Sequence, residues 1–459
     1  MSEAKRLENI DKRHLWHPFT QWKVWSELAP LIVDRGEGVE LIDVEGRRYL
    51  DGVSSLWCNV HGHSEPALLG ALKAQADKVC HSTLLGLTHR PILELAEELA
   101  PLLPEGLTRM FFCDSGSNAV EAALRMTLEW WQKKGGTAAR RKSAFASLDC
   151  AYHGDTLGSV GVGFLADFHH SLESVVVQAR RVSPPHVYRF YQGMSDDDAL
   201  ARALLELEEF FEREGDTLAS FIVEPLVQGA AGMWIHPAIY LRKLRELCSR
   251  HDVFLICDEV ATGFGKTGEL FACQHAGVLP DLLVMGKGLT GGLLALSAVC
   301  VREDVFAGFS APVEEGKTFF YGQTYAGNPL AAAVAVANLR LLQQRDTLGH
   351  VRNVAQWLKE KIEEHLSELP WVDEVRQLGV MTGVELTAEP GSRKAFSAQQ
   401  LVGVRITQRA RELGVIIRPL GNVMVLMPPL CITRDDVSRL VRVTAQSIAD
   451  VLGQGPGHV

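Results

Sequence analysis

The sequence predicts an α/β protein, in which a large domain carries a mostly parallel sheet covered on both faces by helices and a smaller α+β domain is built from the two ends of the chain. Three observations predict it. Between about residues 105 and 330, short apolar runs of strand length alternate with amphipathic helical patterns, as in sheets buried on both faces. Polar signatures follow those runs directly, where open α/β sheets bind their ligands. Outside that stretch the alternation stops.

The runs are MFFCD (110–114), SAFASLD (143–149), ASFIVEP (219–225), VFLICDE (253–259) and DLLVMGK (281–287). Each is apolar and ends on polar or turn residues, the pattern of a buried strand. Between two of them, YLRKLRELCSRHD puts Leu241, Leu244, Leu247 and Cys248 on one helical face. Near the N-terminus LIDVEGRRYLDG (41–52) is strand-like, and the C-terminal region is helix-rich with a short strand VIIRP (415–419). Segments 1–75 and 341–459 are therefore expected to pack together beside a large domain spanning 76–340. The least ordered-looking stretches are 133–143, 387–400 and the tail GQGPGHV.

Composition narrows the partners. The 459 residues are 47% hydrophobic and 22% charged, as in a soluble globular protein. With 46 basic against 56 acidic residues the net charge is −10, which gives no general attraction for nucleic acid or an anionic membrane. A small molecule is the expected ligand. The start, MSEAKRLENIDKRHLW, lacks the apolar core of a secretory signal, and no run approaches the roughly eighteen apolar residues of a membrane span, so a cytoplasmic location is expected. The nine cysteines are dispersed, with no C-x-x-C pair, and Cys113 and Cys257 fall in apolar runs; reduced core thiols are expected rather than disulfides or a zinc site.

The stretch FLICDEVATGFGKTG (254–268) invites a nucleotide-binding reading, because it ends in Gly-Lys-Thr. A P-loop, however, needs a glycine five residues before Gly265, and that position is Val260. The loop also follows the acidic strand directly, without a strand of its own. Elsewhere, Ser115-Gly116-Ser117 precedes a helix whose Glu121 and Arg125 stand at i,i+4 spacing. Such a start offers backbone N–H groups to an anion, or is an ordinary cap. Tyr152-His153-Gly154 ends the second run, where an aromatic either turns into the core or offers a face to a ring. Lys287 stands between two glycines at the end of the fifth run. There it is a desolvated amine nucleophile or the partner of a carboxylate at the sheet edge. His61 and His63 form an H-x-H pair without further ligands at metal spacing, so they are read as structural and no metal is expected. Taken in order, a lysine amine, Asp258, an aromatic and a Ser-Gly-Ser helix start are the parts of a pyridoxal 5'-phosphate site.

With DGVSSLWCNVHGH (51–63), DSGSNAVE (114–121), YHGDT (152–156), EPLVQGAAGM (224–233), CDEVATGFGKTG (257–268), GKGLTGG (286–292), TYAGNP (324–329) and IRPLGN (417–422), the chain resembles the class III aminotransferases of the fold-type I pyridoxal phosphate group. LWHPFTQ (15–21) and SSLWCNVHGH point within that family to the biotin-pathway branch that aminates 8-amino-7-oxononanoate, with other ω-amino acid aminotransferases as the alternative. The resemblance implies that Lys287 carries the cofactor and moves a proton, that Asp258 faces the pyridinium nitrogen, that Tyr152 stacks on the ring, and that Gly116 and Ser117 hold the phosphate. It implies that Thr324 reaches a phosphate in a neighbouring subunit, so that the active unit is a homodimer. Phe19, Trp57, Tyr152, Gly322, Lys287 and Arg418 are the implied substrate contacts, with Arg418 receiving a carboxylate. Glu259 is given no catalytic role. S-Adenosyl-L-methionine is the implied amino donor and lysine the alternative, because familiar adenosylmethionine users have Tyr in place of Phe19 and two tryptophans in place of Leu56-Trp57.

Overall fold

Seven strands form the central sheet of the structure, a computed structural model that describes residues 2–453. They are β1 (Leu107–Cys113), β2 (Ala144–Leu148), β3 (Arg180–Val182), β4 (Leu218–Val223), β5 (Phe254–Asp258), β6 (Leu282–Met285) and β7 (Ser297–Arg302). Their order is β1-β7-β6-β5-β4-β2-β3, with β7 antiparallel to both neighbours and the remaining pairs parallel. The five apolar runs became β1, β2, β4, β5 and β6. Two strands were missed. β3 is a three-residue edge strand, Arg-Arg-Val, with no apolar run to mark it. β7 follows the glycine-rich segment that carries Lys287; with no α-helix in the connection from β6, it returns antiparallel.

Period-two alternation separates two cores. Leu255, Cys257, Leu283 and Met285 join Leu241, Leu244, Leu247 and Cys248 of helix Ala238–Arg250 on one face. On the other, Ile256, Leu282 and Val284 pack with Ala119, Ala122 and Ala123 of helix Gly116–Lys134. Every residue of β4, β5 and β6 is buried, as expected of strands covered on both sides. In the second of these helices the Glu121–Arg125 pair does not form. Arg125 pairs with Glu129 at 2.9 Å, while Glu121 accepts the Gly158 N–H at 2.8 Å and so anchors the loop after β2.

The chain ends meet in hydrogen-bonded sheets. Val415–Ile416 pairs in parallel with Arg48–Asp51, completing a sheet with Val33–Glu37 and Glu40–Asp43. A separate antiparallel sheet runs Val372–Leu378, Met381–Leu386, Val423–Leu426, Arg418–Leu420. The expected strand 415–419 is thus two short strands, and at Ile417 the chain passes from one sheet to the other, delivering Arg418. All nine cysteines are unpaired, with Cys113 and Cys257 buried. Among the described residues no helix is long and apolar enough to cross a membrane. Residues 454–459 of the tail lie outside the described residues.

Candidate active site

The C-terminal ends of β1, β2, β4, β5 and β6 deliver Ser115–Ser117, Tyr152–Gly154, Glu224, Asp258 and Lys287 to one cavity of about 230 Å³. Arg418 and Leu420 enter it from the C-terminal sheet, Phe19, Leu56 and Trp57 from the N-terminal segment.

Lys287 follows β6 with φ +42, a conformation that costs a side-chain-bearing residue strain and is held only by its surroundings. Among the described residues no hydrogen bond or ion pair engages its Nζ. The amine lies 5.0 Å from the centroid of the Trp57 ring. Burial lowers its pKa from the ordinary lysine value, opposed by the charges of Asp258 and Glu224.

Asp258, buried at the end of β5, accepts the Val260 N–H at 3.0 Å and a hydrogen bond from His153 Nδ1 at 2.7 Å. The other ring nitrogen of His153 is buried without a partner. Glu259 points the other way, into the scaffold, and accepts from the Thr262 hydroxyl and the backbone N–H groups of Ala272 and Cys273. The GFGKTG loop is thus braced from within, with the buried Lys266 amine donating to Gly263 O at 3.0 Å. Burial pulls the Lys266 pKa down to about 7.

At the helix start, Ser115 Oγ caps the Asn118 N–H, which leaves first-turn N–H groups of Gly116 and Ser117 without intrahelical acceptors. Ser117 Oγ accepts the Asp155 N–H at 3.2 Å, and the Tyr152 hydroxyl donates to Asp155 at 2.6 Å. Only glycine fits between them. Gly154 has φ +118, and a Cβ there would stand 2.0 Å from Ser117 Oγ.

Arg418 is half-buried with no carboxylate within ion-pair distance among the described residues, and burial lowers its pKa. Phe19, Trp57, Tyr152, Gly116, Ser117, Asp258, Lys287 and Arg418 therefore converge. Gly322 and Thr324 do not; they sit on an exposed stretch outside this cavity. Sequence reasoning gave no role to His153, Glu224 or Phe168. The first two stood in quoted motifs, YHGDT and EPLVQGAAGM, whose polar residues were the available signal. Phe168 carried none, and reaches the cavity from helix Ala166–His169 with its ring 5.5 Å from that of Phe19. His61 and His63 meet separate partners, Asn338 O and Asp51, and among the described residues no cluster of three or more His, Cys, Asp or Glu could hold a metal.

The class-III aminotransferase family matches residues 22–448 of the sequence. The chain belongs to the class III aminotransferases. One curated relative of this aminotransferase, adenosylmethionine-8-amino-7-oxononanoate aminotransferase of Nitratidesulfovibrio vulgaris, is 45% identical over 99% of the chain and 83% of its own length. The crystal structure of the same-named protein from Methanocaldococcus jannaschii superposes with a TM-score of 0.91 at 34% identity, covering 98% of this chain and 100% of its own. An omega transaminase from Pseudomonas jessenii, solved in complex with PMP, gives 0.92 at 30% identity over 98% and 99% of the two chains. The fold is that of these transaminases, and the family's cofactor is pyridoxal 5'-phosphate. The site fits it: an unpaired lysine amine, a buried carboxylate braced by His153, and a helix start kept open by Gly154 are what the aldehyde, ring nitrogen and phosphate require.

Proposed function

We propose that this aminotransferase converts 8-amino-7-oxononanoate to 7,8-diaminononanoate in biotin biosynthesis, taking the amino group from S-adenosyl-L-methionine by alternating half-reactions. The observation that carries the donor is the outer wall of the cavity. It is made of Phe19, Leu56, Phe168 and Leu420, whereas among the described residues the lining carboxylates, Asp258 and Glu224, are already engaged. A second ammonium, as in lysine, would have no spare carboxylate there; a sulfonium is served by aromatic faces. Relatives named for this reaction support the acceptor.

Pyridoxal phosphate, when bound, supplies the electron sink that makes a carbon-bound proton of the donor removable. Lys287 would hold the cofactor covalently, and its Nζ would move the proton at the donor carbon. Asp258 would keep a proton on the ring nitrogen, and the bond from His153 fixes its oxygens. Tyr152 would cover the ring, and Gly116 and Ser117 would bind the phosphate. Arg418, with an unpaired guanidinium in the cavity, receives a substrate carboxylate.

The active unit is a homodimer in which Thr324, beside Gly322, completes the neighbour's site. The nine unpaired cysteines suit the reducing cytoplasm. The test is an absorbance titration of the cofactor-loaded protein. Adenosylmethionine should bleach the visible band and lysine should leave it; the reverse result would make lysine the donor. Turnover of ornithine or aminobutyrate with none of 8-amino-7-oxononanoate would replace the reading with a general ω-aminotransferase.

A further inference from the structure

Glu224 is an acid placed where a charge is costly. It sits at the end of β4, 4% exposed, with no arginine or lysine within ion-pair distance among the described residues. Its two oxygens accept backbone N–H groups from two different loops, Tyr152 N at 3.1 Å and Gly229 N at 2.9 Å. The first loop carries the ring of Tyr152. The second is pressed against the opposite wall, because a Cβ on Gly229 would stand 3.2 Å from Trp57 Cζ3 and 3.7 Å from Glu224 Oε2. Trp57 is in turn the ring under the Lys287 amine. One carboxylate therefore ties together the loops behind Tyr152 and Trp57.

Two basic groups lie close enough for its charge to act on, the His153 ring and the Lys287 amine. The titratable groups around it are Tyr152, His153, Asp258 and Lys287, and of the two basic ones His153 is already hydrogen-bonded to Asp258. The Lys287 nitrogen, further surrounded by Cys58, Arg418 and the buried Lys266, has no bonded partner. A neighbouring negative charge stabilises the protonated form of that nitrogen, and a neighbouring positive charge opposes it.

We propose that Glu224 is a positioning residue of the reaction, holding the Tyr152 and Gly229 loops on the end of β4 and providing the counter-charge that keeps a proton on the nitrogen at Lys287. Burial raises the Glu224 carboxyl to about 7, opposed by the nearby His153 ring and by the two N–H bonds.

The inference rests on Lys287 being the cofactor-bearing lysine, and the two fail separately. Borohydride trapping of the loaded wild-type protein followed by peptide mapping should place the cofactor on Lys287; another lysine would sink that assignment. Given that, the pH midpoint of the visible band is measured in wild type, Glu224→Gln and Glu224→Asp. Gln keeps the size and loses the charge, so the midpoint should fall by about one pH unit or more. Asp keeps the charge on a shorter arm, so its midpoint should stay near wild type while cofactor release quickens severalfold. A merely structural role would move release and not the midpoint. An unchanged midpoint in a folded, cofactor-loaded Glu224→Gln protein overturns the proposal. Should Gln fail to load, the proposal stands or falls on the Asp variant, where a displaced midpoint overturns it.

Discussion

At the scale of single residues, the site depends on side chains whose charges the fold has perturbed. Lys287→Ala removes both the attachment point and the proton carrier, so turnover should fall by at least about 10³-fold while the cofactor still binds non-covalently. Residual transamination near wild type would refute the role. Asp258→Asn keeps the shape of the group bonded to His153 but cannot hold a ring proton, and should lose about 10²-fold or more in kcat. Lys266 gives a stability prediction. Its pKa is depressed from 10.5 to about 7 in the folded protein, so between those values the unfolded chain binds the extra proton and stability rises with pH. Lys266→Met should lack that gain: the difference in Tm, wild type minus variant, should increase from pH 7 to 10. The roles proposed for Lys287 and Asp258 were readable because each is polar at the end of an apolar run. His153 and Glu224 are equally polar and equally placed, yet their partners, Asp258 and two backbone N–H groups, come from other loops and have no mark in the sequence.

At the scale of elements, what the sequence showed well were strands buried on both sides, whose apolar runs have no competing reading at that length. β3 was unreadable because an edge strand buries little, and β7 because its antiparallel return comes from a connection rather than from its own residues. The Glu121–Arg125 spacing was a fair helix pattern, but tertiary contacts outweighed it: Glu121 is used to hold Gly158. The loop after β2 is tied by Glu121, Ser117, Glu224 and Asp258 around a glycine that tolerates no side chain. Gly154→Ala should therefore cost about 1–3 kcal/mol through the positive φ, and more through the collision with Ser117. Thermal melting and cofactor retention should both drop. If instead the variant melts normally and keeps its cofactor, the loop is softer than its contacts imply.

At the scale of the whole molecule, the residues that did not converge, Gly322 and Thr324, lie on a stretch with exposed apolar neighbours. Leu85 is 87% exposed and Phe320 78%, with Leu87 and Tyr325 also exposed. These segments are neighbours: His81 contacts the Tyr325 ring, Asn328 donates to Cys80 O, and His89 bonds to Gly327 O. Exposed apolar side chains grouped in this way suit the interface of the proposed homodimer. A second copy of the chain placed there would carry Thr324 toward a site other than its own. Phe320→Asp, which puts a charge into that contact, should shift wild-type dimers to monomers in sedimentation and cut activity with them, whereas a wild-type monomer with full activity would remove the dimer from the proposal. Mixing sharpens the point. A Lys287→Ala chain has no amine but an intact Thr324, and a Thr324→Ala chain the converse. If sites are shared, the mixed dimer pairs the surviving lysine with the partner's threonine, and its cofactor affinity should exceed that of Thr324→Ala alone. No gain on mixing would confine Thr324 to its own chain.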